Sequence, residues 1–456
     1  MTALTHALDT LDRCTAPKVR GVVRRVQGLA VSVGSLPAPI GAQVVVHLAS
    51  GSTPRSTPGE VVGLDGRDAV VMLLGDARGV GRGDLVELGD REARAVVGGG
   101  LIGRVVDALG RPIDGKGPLS RVRTRPLSSA PVAPMDRPLI DRPLATGVRA
   151  LDALLPLGRG QRLGIFAAPG VGKSTLLAAC AKHTAADVSV IALVGERGRE
   201  IKHFVEKALG PEGLARSVVV AATGDEPALL RLRAARAATA IAEDFRDAGR
   251  DVLLVMDSVT RFAQAQRQVG LSAGEPPTTR GYPPSVFSSL ADLLERSGRT
   301  SAGSITGLYS VLVEGQDMDE PIADACRGIL DGHVLLDRKL AERGHFPAID
   351  IPGSISRVAG DVTDATHTAS RREVSRLIAA YREVEDLVQI GAYAPGSSPD
   401  ADLAIAAKPA IDRLLQQSGG ETATDFAGAA AQLTALCHLL QKTRDQIAAA
   451  VPPAAR

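Results

Sequence analysis

Tryptophan is absent from the 456-residue sequence, and tyrosine (four) and phenylalanine (seven) are scarce. The first aromatic residue of any kind is Phe166. Proteins that hold single-stranded nucleic acid stack its bases on aromatic side chains, and the N-terminal part of this chain offers no such platform. Only four cysteines occur, Cys14, Cys180, Cys326 and Cys437, with no C-x-x-C pair. That spacing excludes a zinc ribbon or a disulfide framework and suits a reducing cytoplasm. A strong charge of one sign is also missing: the net charge is +2, so no whole-protein field favours nucleic acid or membrane. No uninterrupted apolar run approaches transmembrane length. Met1–Cys14 carries acidic residues and lacks an apolar centre, so no signal peptide is expected.

What is present is a soluble-type composition, 45% hydrophobic and 23% charged, in a chain long enough for two or three domains. Its most informative stretch is Gly164–Leu177, GIFAAPGVGKSTLL. An apolar run, Leu163–Ala167, enters a Gly-rich turn that opens an apolar helix. That is a strand–loop–helix phosphate cradle. Gly170 and Gly172 let backbone N–H groups approach phosphates, and the helix N-terminus adds partial positive charge. Lys173 reaches β/γ-phosphates, and Ser174 offers a hydroxyl to Mg²⁺. The strict G-x-x-x-x-G-K-[ST] pattern is missed by one residue, because Ala167 stands at the first Gly position.

Around this stretch the texture changes along the chain. Thr2–Cys14 places Leu4, Ala7, Leu8 and Leu11 on one helical face, either for a partner or for its own domain. From Gly21 to Val97, short β-rich runs separated by turn residues predict a small barrel. Residues 98–142, ending in a Pro-rich stretch, read as a connector. From Arg162 to Asp350, strands and helices alternate, which predicts an α/β domain with a largely parallel sheet. After about Ser370 only helices are expected. The expected fold class is α/β, with an N-terminal small β-barrel, a central RecA-like P-loop domain and a C-terminal helical domain. The expected boundaries are 1–97, 98–370 and 371–456.

Three further motifs carry chemistry. Val252–Asp257, VLLVMD, is an apolar strand ending in an acid that can hold the Mg²⁺ of bound ATP. Leu193–Glu200, LVGERGRE, ends another strand with Glu196, placed to polarise an attacking water, and Arg197, placed to hold a phosphate. Arg357 follows Ser354-Ile355-Ser356 in a post-strand loop. It is either a structural arginine or, in an oligomer, a finger reaching a neighbour's γ-phosphate. His333 and His345 lack a third ligand at suitable spacing and read as structural.

Together GRVVDALGRPIDGKGP, AAPGVGKST, LVGERGRE, LLVMDSVTRFAQAQR and SISRV resemble the catalytic and regulatory subunits of rotary ATP synthases. The sequence is more similar still to the flagellar protein-export ATPases and their injectisome relatives, through Gly274–Phe287, Met318–Asp350 and Glu385–Ile405. The resemblance runs from about residue 20 to residue 417. It implies Mg²⁺-dependent ATP hydrolysis powering flagellar export, with the injectisome ATPase as the alternative. An RNA-translocating helicase and a non-catalytic regulatory subunit are weaker readings. The aromatic-free barrel opposes the first, and the presence of both Lys173 and Glu196 opposes the second.

The resemblance also implies roles. Lys173, Arg197 and Arg357 would join Glu196 in catalysis. Pro169, Gly170, Val171, Gly172, Lys173, Ser174 and Thr175 would cradle ATP, and Ser174 and Asp257 would hold Mg²⁺. Phe346 stands where the family has an aromatic beside the adenine, and Tyr393 would be a second adenine wall. Arg280–Pro284 matches a loop facing a central pore. The implied assembly is a cytoplasmic homohexamer, peripheral to the export apparatus at the inner membrane. Its implied partners are a central stalk protein, a stator protein held through the N-terminal segment, export-gate membrane proteins and chaperone–cargo complexes, with no nucleic acid. Ala168 and Pro169 depart from the family's usual Gly-Ser or Gly-Ala, and Pro169 removes one backbone donor.

Overall fold

A computed structural model describes residues 18–49, 55–313, 318–418, 421 and 424–450. The expected N-terminal helix Thr2–Cys14 and the tail Pro452–Arg456 lie outside the described residues. The chain divides into two compact units.

The first unit contains six strands: β1 (Arg20–Gln27), β2 (Ala30–Gly34), β3 (Gln43–Leu48), β4 (Arg55–Asp65), β5 (Asp68–Leu73) and β6 (Leu85–Leu88). They close into a barrel in the order β1-β2-β5-β4-β3-β6. The run Val22–Val33 predicts one strand, but the chain turns at Gly28, whose φ of 57° is a left-handed value that glycine adopts without a Cβ clash. Alternation then fills the interior: Val23, Val31, Val33, Val44, Val46 and Val86 are each buried, and their polar neighbours face out. Closure leaves no unpaired edge.

The second unit is built on a mostly parallel sheet. Its strands in chain order are β7 (Arg104–Asp107), β8 (Arg162–Ala167), β9 (Val188–Glu196), β10 (Ser217–Thr223), β11 (Asp251–Asp257), β12 (Ser304–Leu312), β13 (Gly332–Leu336) and β14 (Ile349–Ser356). Across the sheet the order is β14-β13-β8-β12-β11-β9-β10-β7. All pairs are parallel except β13–β14 and the short strand Gly298–Arg299, which pairs antiparallel with β12 off this path. Strands buried on both faces read as continuous apolar runs, and every residue of β9 is buried. Two strands escape a sequence reading. β7 lies inside the expected connector and pairs with β10, Val106 opposite Val220. β14 interrupts its apolar residues with Pro352 and Gly353, so it shows no clean strand period.

Three long helices end the chain: Ala365–Gln389, Pro399–Leu415 and Phe426–Ala450. They bury Val374, Leu377, Leu403 and Leu433 in the same hydrophobic cluster as Leu163, Ile165 and Leu177. Because the strands around β8 are parallel, β8, β9 and β11 present their C-terminal ends together. In open α/β sheets ligands bind outside those ends.

Candidate active site

The phosphate loop leaves β8 and enters helix α1 (Lys173–His183). Gly170 and Gly172 have φ values of 85° and 94°, a region that disfavours any residue with a Cβ. Gly172 is the N-cap, and no side chain fills that cap. The first backbone N–H groups of α1 are therefore directed to the mouth of the loop, as an anion cradle requires. Val171 is buried beneath the loop, whereas Pro169, Gly170, Ser174 and Thr175 are exposed.

Lys173 turns back toward the sheet. Its Nζ donates to Asp257 Oδ1 at 2.5 Å and to Ser310 Oγ at 3.3 Å, and Ser310 Oγ donates to the same carboxylate oxygen at 2.6 Å. Register explains the meeting. Ile165 stands opposite Ser310 on β12, and Met256 stands opposite Tyr309, so the end of β11 is level with Ser310. Leu193 pairs with Asp257, which brings Glu196 just above the same level.

Glu196 is buried, 8% exposed, and its Oε1 accepts from Arg261 Nε at 3.1 Å. Burial, and then the charge of Asp257, push its carboxyl up to about 7, against the opposing pull of Lys173 and Arg261. Two acids in one poorly solvated site share their charge reluctantly. A cavity of about 420 Å³ opens here, lined by Ser174, Thr175, Glu196, Arg199 and Asp257. The exposed Ser174 hydroxyl beside two carboxylates is an oxygen donor set suited to a hard divalent cation such as Mg²⁺. The surplus negative charge that raises the Glu196 carboxyl is the condition such a cation relieves. No group of three or more His, Cys, Asp or Glu residues among the described residues forms an all-protein metal cage.

This raised carboxyl makes stability depend on pH. The folded value of about 7 exceeds the ordinary 4.5, so the contribution is fully present below 4.5 and is lost as pH rises through 7. Without nucleotide, Glu196→Gln should therefore be more stable than the parent at pH 8, by on the order of 1 kcal/mol after solvent screening. The difference should shrink toward pH 5. Denaturant midpoints at the two pH values check this, and a gap equal at both rejects it.

A second cavity, also about 420 Å³, flanks the loop on its other side and is lined by Gly147, Val148, Gly172, Thr175, Phe346 and Gln417 among others. Phe346 is 46% exposed. A Cβ added to Gly172 would lie 3.6 Å from its ring, so the ring borders the phosphate loop directly. An apolar slot beside an exposed aromatic face suits a purine ring.

Three expected residues stand apart. Arg197 begins the helix Gly198–His203, is exposed, and pairs with Glu200 at 3.3 Å. Tyr393 is not brought to the Phe346 cavity; its hydroxyl donates to Asp402 Oδ1 at 2.9 Å, in the turn before helix Pro399–Leu415. Arg357 follows edge strand β14, whose Ser356 pairs with Gly332 at the start of β13. The phosphate loop leaves the opposite end of that sheet, where Ala167 pairs with Leu336. Arg357 is exposed, and its Nη2 donates to the Arg327 carbonyl at 3.4 Å.

Sequence reading also passes over residues that the structure brings in. Arg261 lies four residues beyond Asp257 in the motif LLVMDSVTRFAQAQR, one turn into the following helix, so its spacing was a usable signal. Ser310 and Gln417 carry no such signal, because they meet the site only through sheet register and through the docking of the C-terminal helices.

A family model for the ATP synthase alpha/beta family, nucleotide-binding domain, matches residues 147–356. The beta-barrel domain of that family matches residues 23–89, and the T3SS EscN ATPase C-terminal domain matches residues 363–435. The likeness thus continues beyond Gln417, where the sequence motifs end. The Bacillus subtilis protein named flagellum-specific ATP synthase is 49% identical over 418 residues, covering 91% of this chain and 95% of that one. Among solved structures, the assembled ATPase EscN of the enteropathogenic E. coli type III secretion system is 42% identical with a TM-score of 0.85, covering 91% of this chain and 99% of that one. EscN in complex with its central stalk EscO is 41% identical with a TM-score of 0.83, at the same coverage. No helix among the described residues is long and apolar enough to cross a membrane.

Proposed function

The chain belongs to the ATP synthase alpha/beta family, and from that membership we propose that its site hydrolyses ATP to power flagellar protein export. One observation carries the reading. Lys173, Asp257, Glu196 and Arg261 converge beside a phosphate loop at the C-terminal ends of three parallel strands.

The residues divide the work as follows. Gly170, Val171 and Gly172, with the first turn of α1, supply backbone N–H groups to the phosphates, while Pro169 supplies none. Lys173 exchanges its Asp257 partner for β/γ-phosphate oxygens. Ser174 and Asp257 hold Mg²⁺, which when bound neutralises phosphate charge. Thr175, the next residue of α1, lines both cavities. Glu196 orients and deprotonates the attacking water. Arg261 holds that carboxylate in place. Arg197 is exposed and joins the γ-phosphate by swinging from Glu200. Phe346 stacks against the adenine. Tyr393, held by Asp402, has no part in this scheme.

Arg357 lies at the far end of its own sheet, so only a second copy can place it on the γ-phosphate. A homohexamer with a central stalk fits that need, and assembly and a stalk are what the EscN relative displays. The proposal extends to a cytoplasmic position at the export apparatus of the inner membrane, with a stator protein, export-gate proteins and chaperone–cargo complexes as further partners. The working divisions are 1–97, 98–370 and 371–456. The likeness to EscN favours an injectisome role as the second reading. Loss of motility on deletion supports the first, and loss of effector secretion supports the second.

The test is phosphate release per subunit against protein concentration. Specific activity should rise with concentration as rings assemble. Lys173→Ala should lower it by about 10²–10³-fold, the cost of removing one charge-stabilising donor. Near-normal turnover of Lys173→Ala at saturating ATP would reject the phosphate-loop assignment.

A further inference from the structure

Besides the phosphate loop and α1, the cavity beside Phe346 draws walls from segments far apart in the chain, among them Gly147 and Val148, Phe346, and Gln417 just past helix Pro399–Leu415. Gln417 is bonded to the main chain of the other two of these walls. Its Nε2 donates to the Gly147 carbonyl at 3.0 Å, and its Oε1 accepts from the Arg149 N–H at 2.8 Å. Its own backbone N–H donates to the Phe346 carbonyl at 2.9 Å. Donation at one end of the amide and acceptance at the other set its orientation. A side chain committed in this way holds the walls together and does not read the base.

The neighbouring residues brace the same junction. The Arg149 guanidinium donates to the carbonyls of Leu414 at 2.6 Å, Arg413 at 3.2 Å and Gln416. These are carbonyls that a helix end leaves without internal partners. On the other side, the Gly147 N–H donates to the fully buried Asp152 carboxylate at 3.1 Å. The end of the helix and the wall Gly147–Arg149 are therefore tied together by these bonds.

The geometry points to Gln417 as a positioning residue for the nucleobase: its side-chain amide holds Gly147–Arg149 while its backbone N–H holds Phe346, so the base slot is closed only while the end of helix Pro399–Leu415 is docked. This rests on reading the cavity as the base site. It couples the C-terminal helices to nucleotide affinity and leaves the reacting phosphate alone. Gln417→Met keeps the bulk and removes both bonds. Gln417→Glu keeps the acceptor for Arg149 but sets a carboxylate oxygen against the Gly147 carbonyl.

The experiment compares MgATP with magnesium tripolyphosphate, which has the phosphates and no base. In the full chain, both variants should raise the Kd and KM for MgATP about tenfold, the worth of one or two hydrogen bonds. They should leave kcat within about twofold and tripolyphosphate affinity unchanged. Unchanged ATP affinity, a fall in kcat alone, or equal weakening of both ligands overturns the inference. Wild-type protein that binds ATP but not tripolyphosphate indicts the phosphate-loop reading beneath it instead. Should the variants not fold, hydrogen exchange on the wild-type chain decides. ATP should slow exchange of the amides at 147–149 and 413–417 more than tripolyphosphate does, and equal slowing by the two overturns the clip.

Discussion

Arg357→Ala is expected to bind MgATP nearly as the parent does and to hydrolyse it about 10³–10⁵-fold more slowly, even when fully assembled. That range is a barrier increase of about 4–7 kcal/mol. It is the largest effect expected of any single substitution here, because a finger meets charge that grows only in the transition state. The position of the residue makes the claim specific. Arg357 follows β14 at the end where Ser356 pairs with Gly332, while the phosphate loop leaves the end where Ala167 pairs with Leu336. No rotamer carries its guanidinium along the length of that sheet to its own γ-phosphate. The deficit must therefore be repairable from another subunit. Mixing Arg357→Ala with Glu196→Gln should restore part of the activity, since some interfaces then join an intact Glu196 to an intact Arg357. Phosphate release is measured from each variant and from the mixture, with co-assembly verified separately. Co-assembled mixtures that recover nothing, together with linear loss when the wild type is diluted with Arg357→Ala, leave Arg357 a structural residue.

Glu196→Gln is the second large effect. A positioned general base contributes about 10²–10⁴-fold, and the amide cannot accept the proton. MgATP binding should survive, since Lys173, the loop and the Phe346 slot are untouched. It should even tighten modestly, because one of the two acids that burden the site with negative charge is gone. Single-turnover hydrolysis and nucleotide binding measured on the same preparation separate the cases. Equal loss of both assigns Glu196 to holding Arg261 in place and not to the water. The partner test is Arg261→Lys, which keeps the charge but not the guanidinium geometry. If Glu196 acts on water, this change should lower turnover while binding is largely kept.

Much of this protein was legible before folding. The loop Gly164–Leu177 declared itself because a phosphate cradle needs glycine, lysine and a hydroxyl within a few residues, and all of them are local. Asp257 and Glu196 were readable for a related reason, as acids that close unbroken apolar strands. The barrel was readable from alternation, because each strand buries one face only. The strand Arg104–Asp107 was not, since its four residues gain their identity from a partner more than a hundred positions away. The sheet edge Ile349–Ser356 hides behind Pro352 and Gly353, which weaken any strand pattern.

By itself, then, the sequence determined which family the motifs resemble, and it marked the candidates proposed above for the reaction: the side chains for phosphate and the acids for a cation and water. Those are properties of short segments whose backbone geometry is dictated locally. Tertiary structure alone decided the rest. Parallel register brought Ser310 and Asp257 level with Lys173, and one turn of helix set Arg261 on Glu196. Antiparallel return of the last strand sent Arg357 to the end of the sheet remote from its own loop. Helix docking brought Gln417 to Gly147 and Phe346 and left Tyr393 with Asp402. Arg261 aside, whose spacing from Asp257 is local, the physical reason is common to the others. Each depends on pairings between residues far apart in the chain, and pairings of that kind are fixed by burying a shared core, which no local pattern records.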